Sequence, residues 1–332
     1  MRSITACPFS RNSRASILAG YGYRDGVTID PRRFEVRTAS PRGFDQAYVH
    51  ETAGRGVALL CVHGWPESKR IFWKVIDPFV EAGFDVIVPD LRGFGDSALA
   101  PDGRYDTVAH ARDLHALVHD HLGYEKVVVL GGDLGGPVIQ DMALRYPDFV
   151  DRMILFNSPL PFDKERMADL PGTRAPREAA DYFLRQGTEA DRLASELSTE
   201  RARRAYIATF YTSRFWAHPG TFTADEVDFH TEPFADADTL RASFGGYESV
   251  FDPSKRPEPT VMGRNDVTPT LVLHGPSDHV IYPSFDRMAA VVFGRHVGPF
   301  QLRDCGHFVP WEAPHALVSG TVAFCSDLLN RP

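Results

Sequence analysis

A chain of 332 residues with 43% apolar and 24% charged residues has the composition of a soluble globular protein, long enough for one large α/β domain or two modest ones. Its formal charge of −8, with no block of Lys and Arg, argues against a nucleic-acid or anionic-membrane partner. No apolar run reaches the roughly 18–20 residues that span a bilayer, and Met1 to Pro8 lack the apolar stretch of a leader, so a cytoplasmic protein is expected.

Residues 1–30 are mixed in pattern and are expected to form a short N-terminal arm. Phe34–Thr38 and the segment around Ala47–Val49 alternate apolar and polar residues on either side of the turn Ser40–Gly43, which predicts a hairpin. Val57–Val62 is continuously apolar, as a strand covered on both faces should be, and Cys61 within it is expected to be a core thiol in a reducing compartment. The other cysteines, Cys7, Cys305 and Cys325, have no metal-like spacing. A helix is predicted from Phe72 to Ala82, stopped by Gly83, then a strand over Asp85–Pro89 and a helix over Val108–Leu122. Val127–Leu130 is the next strand, followed by a helix that ends at Tyr146 before Pro147, and Met153–Asn157 is the sixth strand.

Strands alternating with helices at this spacing imply a mostly parallel, doubly wound α/β sheet. From 161 to 258 the pattern changes to helix-like segments, Ala190–Thr212 and Leu240–Phe251, with many aromatics and no buried parallel strand. This stretch is expected to be a helical cap inserted after the sixth strand, lying over the carboxyl ends of the strands, where such sheets hold their active sites. The core is then 31–160 and 259–332, its strand pattern resuming at Thr268–His274 and its last helix running from His315 to Leu329.

Three positions carry chemistry. Asp133 sits in the glycine knot Gly131-Gly132-Asp133-Leu134-Gly135-Gly136, between a β-branched strand and a helix. That is the grammar of a strand–nucleophile–helix turn, with aspartate where serine is commoner; the plainer reading is a helix-capping aspartate. Asp278 follows the resumed strand in Gly275-Pro276-Ser277-Asp278, and His307 lies in Asp304-Cys305-Gly306-His307 before the last helix. Taken singly, Asp278 fits a turn and His307 a surface loop. Together the order nucleophile, acid, histidine matches the catalytic triad of α/β-hydrolases.

On these residues, on His63-Gly64-Trp65-Pro66-Glu67-Ser68 and on the stretch Ala82 to Ser97, the chain resembles α/β-hydrolase-fold enzymes, most closely epoxide hydrolases. The likeness covers about residues 34–160 and 268–330 and is loose between them. It implies an α/β-hydrolase fold and a covalent mechanism. An ionised carboxylate attacks a saturated carbon without first losing a proton, so Asp133 would open the three-membered ring and form an ester. His307, oriented by Asp278, would take the proton of the water that hydrolyses it. The resemblance assigns the oxyanion hole to the backbone N–H groups of Trp65 and Leu134. His63, Pro66, Trp216 and Phe308 are expected around the substrate, and the Pro66 peptide bond is a candidate for the cis form.

Relatives of this kind use two tyrosines as the ring-opening acid. Phe244-Gly245-Gly246-Tyr247-Glu248 assigns one of them to Tyr247, with a helix-face core aromatic as the alternative. Alignment on Gly187 puts Ala179 where the other is expected, and Tyr182 replaces it only if the local register shifts. Leu134 stands where related haloalkane dehalogenases carry a halide-binding tryptophan, and Leu134 and Pro137 fill places of the carboxylate clamp of fluoroacetate dehalogenases. Both departures weigh against dehalogenation. The expected protein is an epoxide hydrolase for a small, largely apolar epoxide and water, with no metal or organic cofactor, as monomer or homodimer. A dehalogenase, a hydrolase specific to one biosynthetic epoxide and a non-catalytic ligand-binding hydrolase fold are the alternatives.

Overall fold

The computed structural model describes residues 29–54, 56–170, 177–281 and 284–330, with backbone alone at 177–180. The expected arm over 1–30 lies, except for its last two residues, outside the described residues.

Eight strands form one sheet: β1 (Val36–Ala39), β2 (Gln46–Glu51), β3 (Ala58–Val62), β4 (Asp85–Pro89), β5 (Val127–Gly132), β6 (Val150–Phe156), β7 (Thr270–His274) and β8 (His296–Gln301). Their order is β1-β2-β4-β3-β5-β6-β7-β8. β2 is antiparallel to both β1 and β4, and all other neighbours are parallel. Every residue of β3, β4 and β5 is buried. Helices cover both faces of those strands, which is why their sequences run apolar without alternation.

The parallel strands β3, β5, β6 and β7 are successive neighbours, so their carboxyl ends open along one edge. The residues that follow them, His63–Ser68, Asp133, Asn157 and Asp278, therefore meet. Helix α1 (Ile76–Ala82) ends at Gly83, whose φ of 107° is the left-handed conformation that suits glycine. Helix α2 (Thr107–His115) is capped by Asp106 and continues as a π-helical turn, Ala116–His121. Helix α3 (Gly135–Arg145) starts two residues after Asp133.

Between β6 and β7 come α4 (Arg177–Thr188), α5 (Ala190–Glu196), α6 (Glu200–Thr212), α7 (Ala224–Thr231), α8 (Ala237–Ser243) and α9 (Gly245–Phe251). Several of their side chains and carbonyls fasten to the segment after β3. Tyr211 donates its hydroxyl to the Pro66 carbonyl at 2.5 Å, the Trp65 indole N–H donates to Ser243 Oγ at 3.1 Å, and Arg70 donates to the Phe229 carbonyl at 2.8 Å.

Several element boundaries differ from expectation. The helix predicted over 190–212 is two, because Thr199 turns extended and caps α6 with its side chain. The one over 240–251 breaks at Phe244, beside the glycine pair 245–246. The predicted 72–82 helix resolves into a 3₁₀ turn, Lys69–Phe72, and α1. The terminal helix divides into α11 (Pro314–Phe324) and α12 (Ser326–Leu329), following α10 (Phe285–Val292). Strand β8 had no sequence signal: it is an edge strand, partly exposed, and carries Gly298 and Pro299.

Candidate active site

Asp133 follows β5 with a φ of 42°, a left-handed conformation uncommon outside glycine. Its own N–H donates to the Asn157 carbonyl at 2.9 Å. The turn is tight on every side: a Cβ at Gly64 would stand 2.5 Å from that of Asp133. Helix α3 takes no side-chain cap at its start. The Asp133 carboxylate instead accepts the Trp65 N–H on Oδ1 at 2.8 Å. This geometry answers the capping alternative, since the carboxylate is turned across to the loop after β3.

The second carboxylate oxygen faces His307. Its Nε2 lies 3.3 Å from Asp133 Oδ2, a charge contact rather than an aligned hydrogen bond, while Nδ1 lies 2.7 Å from Asp278 Oδ2. Asp278 also accepts the Val280 N–H at 2.7 Å, and Glu312 accepts the N–H groups of Gly306 and Phe308 at 2.9 Å each, which fixes the histidine loop. The His307 N–H donates to the Trp216 carbonyl at 2.7 Å, tying that loop to the segment between β6 and β7.

All three side chains are buried. Burial alone would depress the His307 imidazole, but Asp278 and Asp133 outweigh it and hold the ring well above its ordinary range. Burial pushes the Asp133 carboxyl up, and His307 with the two backbone N–H groups brings it below its usual value. Both shifts favour the charged forms, a carboxylate on Asp133 and a protonated ring on His307, with Asp278 orienting the imidazole.

Trp65 is the centre of an aromatic cluster. Tyr182 stacks on its indole at 5.6 Å, Tyr247 meets it edge-on at 5.6 Å, and Phe210 does so at 4.7 Å. Tyr182 and Tyr247 lie 5.8 Å from each other, ring to ring. The structure thus brings Tyr182 into the cluster with Tyr247, although the alignment pointed to Ala179. The two positions are three residues apart on α4, so they share a face one turn apart. The Ala179 side chain is outside the described residues.

The His307 ring packs edge-on against Trp216 at 4.7 Å and Phe308 at 5.3 Å, with Tyr211 stacked on Phe308 at 4.5 Å. Pro66 follows a cis peptide bond and accepts the Tyr211 hydroxyl. His63 spends both ring nitrogens on backbone: Nε2 accepts the Leu91 N–H at 3.0 Å, and Nδ1 lies 2.8 Å from the Gly64 carbonyl. It braces the loop rather than offering a free nitrogen to a ligand.

Two polar residues of the site had no assigned part in the sequence reading. Asn157, fully buried, accepts the Gly275 N–H at 2.9 Å and donates to the Gly306 carbonyl at 2.8 Å. It ties together the loops that carry Asp133, Asp278 and His307. Nothing in a lone Asn after a strand signals this, because its partners are 118 and 149 residues away.

Glu67 is buried and accepts the Gly64 N–H at 2.5 Å. Burial raises its carboxyl from 4.5 to about 7, with the Asp133 charge adding to the rise and His307 opposing it. Because the folded protein holds this proton more tightly than the unfolded chain, stability should fall as pH rises from about 4.5 to about 7. Glu67→Gln is expected to flatten that part of the thermal-unfolding profile, so that the gap between variant and parent shrinks or reverses at higher pH. An identical slope in both proteins would show that Glu67 is not the titrating group.

A family model described as alpha/beta hydrolase fold matches residues 57–314. The chain is 28% identical to a soluble epoxide hydrolase from a Corynebacterium species over 86% of this chain and 95% of that protein. It is 24% identical to pig bifunctional epoxide hydrolase 2 over 80% of this chain, and spans about half of that relative, 50% of its length. Among solved structures, the epoxide hydrolase CorEH superposes with a TM-score of 0.75 at 24% identity, covering 89% of this chain and 99% of that one. With an eight-stranded, mostly parallel sheet and a match to more than half its length, the chain belongs to the alpha/beta hydrolase fold family.

Proposed function

We propose that this protein is an epoxide hydrolase that converts a small, largely apolar epoxide into a vicinal diol through an ester of Asp133. The observation that carries the reading is the division of labour on one carboxylate. Oδ1 is held by the Trp65 N–H and Oδ2 faces the His307–Asp278 pair. In this reading Oδ2 attacks a ring carbon, the ring C–O bond breaks, and the departing oxygen takes a proton from Tyr182 or Tyr247.

The electrostatics then supply the second step. Alkylation removes the Asp133 charge, one of the influences that favours a protonated His307, so the ring gives its proton to the tyrosinate left by ring opening and stands as a neutral base once the ester exists. His307 takes a proton from water, the water oxygen adds to the ester carbonyl, and the negative charge gathers on the oxygen held by the Trp65 and Leu134 N–H groups. Collapse breaks the acyl C–O bond, His307 gives its proton to the departing diol oxygen, and the carboxylic acid formed on Asp133 returns a proton to the ring. The helices between β6 and β7 act in this scheme as a cap over 161–258, and they carry both tyrosines. No metal or organic cofactor enters any step. The relatives named epoxide hydrolase support the reaction class. Leu134 offers no side-chain N–H to a departing halide, and this disfavours a dehalogenase.

Single turnover in heavy-oxygen water tests the ester. The first diol formed should carry ordinary oxygen, with the label left on Asp133; a labelled first-turnover diol would require direct attack by water and sink the scheme. The tyrosines are tested separately. Tyr182→Phe and Tyr247→Phe should each slow ring opening, and the double variant should lose about 10²–10⁴-fold, the usual worth of a positioned acid. Unchanged turnover in the double variant would place the acid elsewhere.

A further inference from the structure

A second group of ligand-type side chains lies away from Asp133. His115 ends α2, and His119 falls four residues later in the π-helical turn that continues it. Side chains at that spacing share a face. Their rings stack with centroids 4.9 Å apart and planes at 22°, and His119 Nδ1 lies 2.7 Å from Asp120 Oδ1. One ligand atom from each of His115, His119 and Asp120 lies within 4.8 Å of the other two.

We propose that these three side chains bind a divalent cation of the zinc class. Two imidazoles and a carboxylate are the donor set such ions take, with water completing the coordination. Ligands 2.0–2.1 Å from a tetrahedral ion stand about 3.3 Å apart, so small side-chain rotations close the set. The parts for that movement are present. His115 is backed by Tyr146, stacked at 3.9 Å, and by Phe149 at 4.9 Å, whereas His119 and Asp120 have side chains 47% and 59% exposed. One ligand is braced and two can turn toward the ion.

The site is separate from the reaction centre. Tyr146 is the C-terminal cap of α3, and Asp133 precedes the other end of that helix, about 16 Å away at 1.5 Å per residue. A π-helical turn is itself uncommon and recurs at functional sites. An ion here would clamp that turn and stabilise the folded state by linkage.

The test uses tag-free full chain stripped with a chelator and titrated with zinc chloride, followed by calorimetry and thermal unfolding. One ion per chain should bind, and Tm should rise by about 4 °C at zinc about 100-fold above Kd. Cobalt should give visible d–d absorption at the same site. His119→Gln replaces an exposed side chain and should keep the metal-free Tm while weakening zinc binding at least tenfold and removing the cobalt spectrum. His121→Gln, on the same turn but facing Tyr48 at 3.4 Å, should retain all three readouts. Absence of saturable binding, or zinc binding unaltered by His119→Gln, overturns the proposal.

Discussion

His307→Gln should stop turnover at the ester and leave the protein heavier by the mass of one intact epoxide. The reason is the order of events. Attack by Asp133 needs only an ionised carboxylate and an acid for the ring oxygen, whereas hydrolysis of the ester needs a base. Gln keeps about the volume of the buried imidazole but cannot take a proton. Steady-state diol formation should fall by about 10²–10⁴-fold, and peptide mapping of the adduct should find it on Asp133. The double variant His307→Gln, Asp133→Asn should gain no mass. If the single variant stays folded and shows no adduct with an epoxide that the parent turns over, the covalent scheme is wrong. The removed imidazole faces two buried carboxylates, Asp278 and Asp133. Circular dichroism of the variant is therefore the control.

Asp90→Ala should cost about 3–5 kcal/mol of stability, the usual result of breaking a buried ion pair by removing one partner. Asp90 follows β4 and is fully buried. Its Oδ1 accepts the Lys69 N–H at 2.8 Å, and its Oδ2 accepts the Asp96 N–H at 2.8 Å and pairs with Lys69 Nζ at 2.5 Å. The Lys69 side chain is 2% exposed. Without Asp90 its ammonium keeps, among the described residues, only Asp96, whose own side chain is 60% exposed. The loops after β3 and β4 would also lose the group that stitches them together. For a domain of about 300 residues the expected change is a Tm lower by about 5–8 °C. Asp96→Ala should cost less than about 1 kcal/mol because that side chain is largely in water. Equal losses in the two variants would contradict this account of the pair.

Much of the fold is written locally in this chain. Continuous apolar runs such as Leu59–Val62 and Val127–Leu130 can only be strands covered on both faces, and glycines mark where they turn. Strand β8 is not legible because an exposed edge strand needs no apolar pattern. Helices α6 and α8 were overrun because their breaks at Thr199 and Phe244 are set by capping and by the close packing of the glycine pair, not by periodicity.

The site divides the same way. Asp133 and Asp278 are visible because each follows an apolar strand, and His307 because it comes third in a recognisable order, in the loop before the last helix. Tyr182 is not legible from a linear alignment, which counts residues, whereas on a helix a neighbour one turn away reaches the same cluster. Asn157 and Glu67 act through hydrogen bonds and burial that exist only once distant loops have met.

The group that holds Asp133 from the loop side is a peptide N–H, that of Trp65. Any residue except proline keeps that donor. The Trp65 side chain is nonetheless held on its own account, buried at the centre of the aromatic cluster and bonded through its indole to Ser243, whereas the side chain of Leu134 makes no such bond to the cradle. Variation at 134 should reshape the wall beside Asp133 while the backbone contact from Trp65 persists.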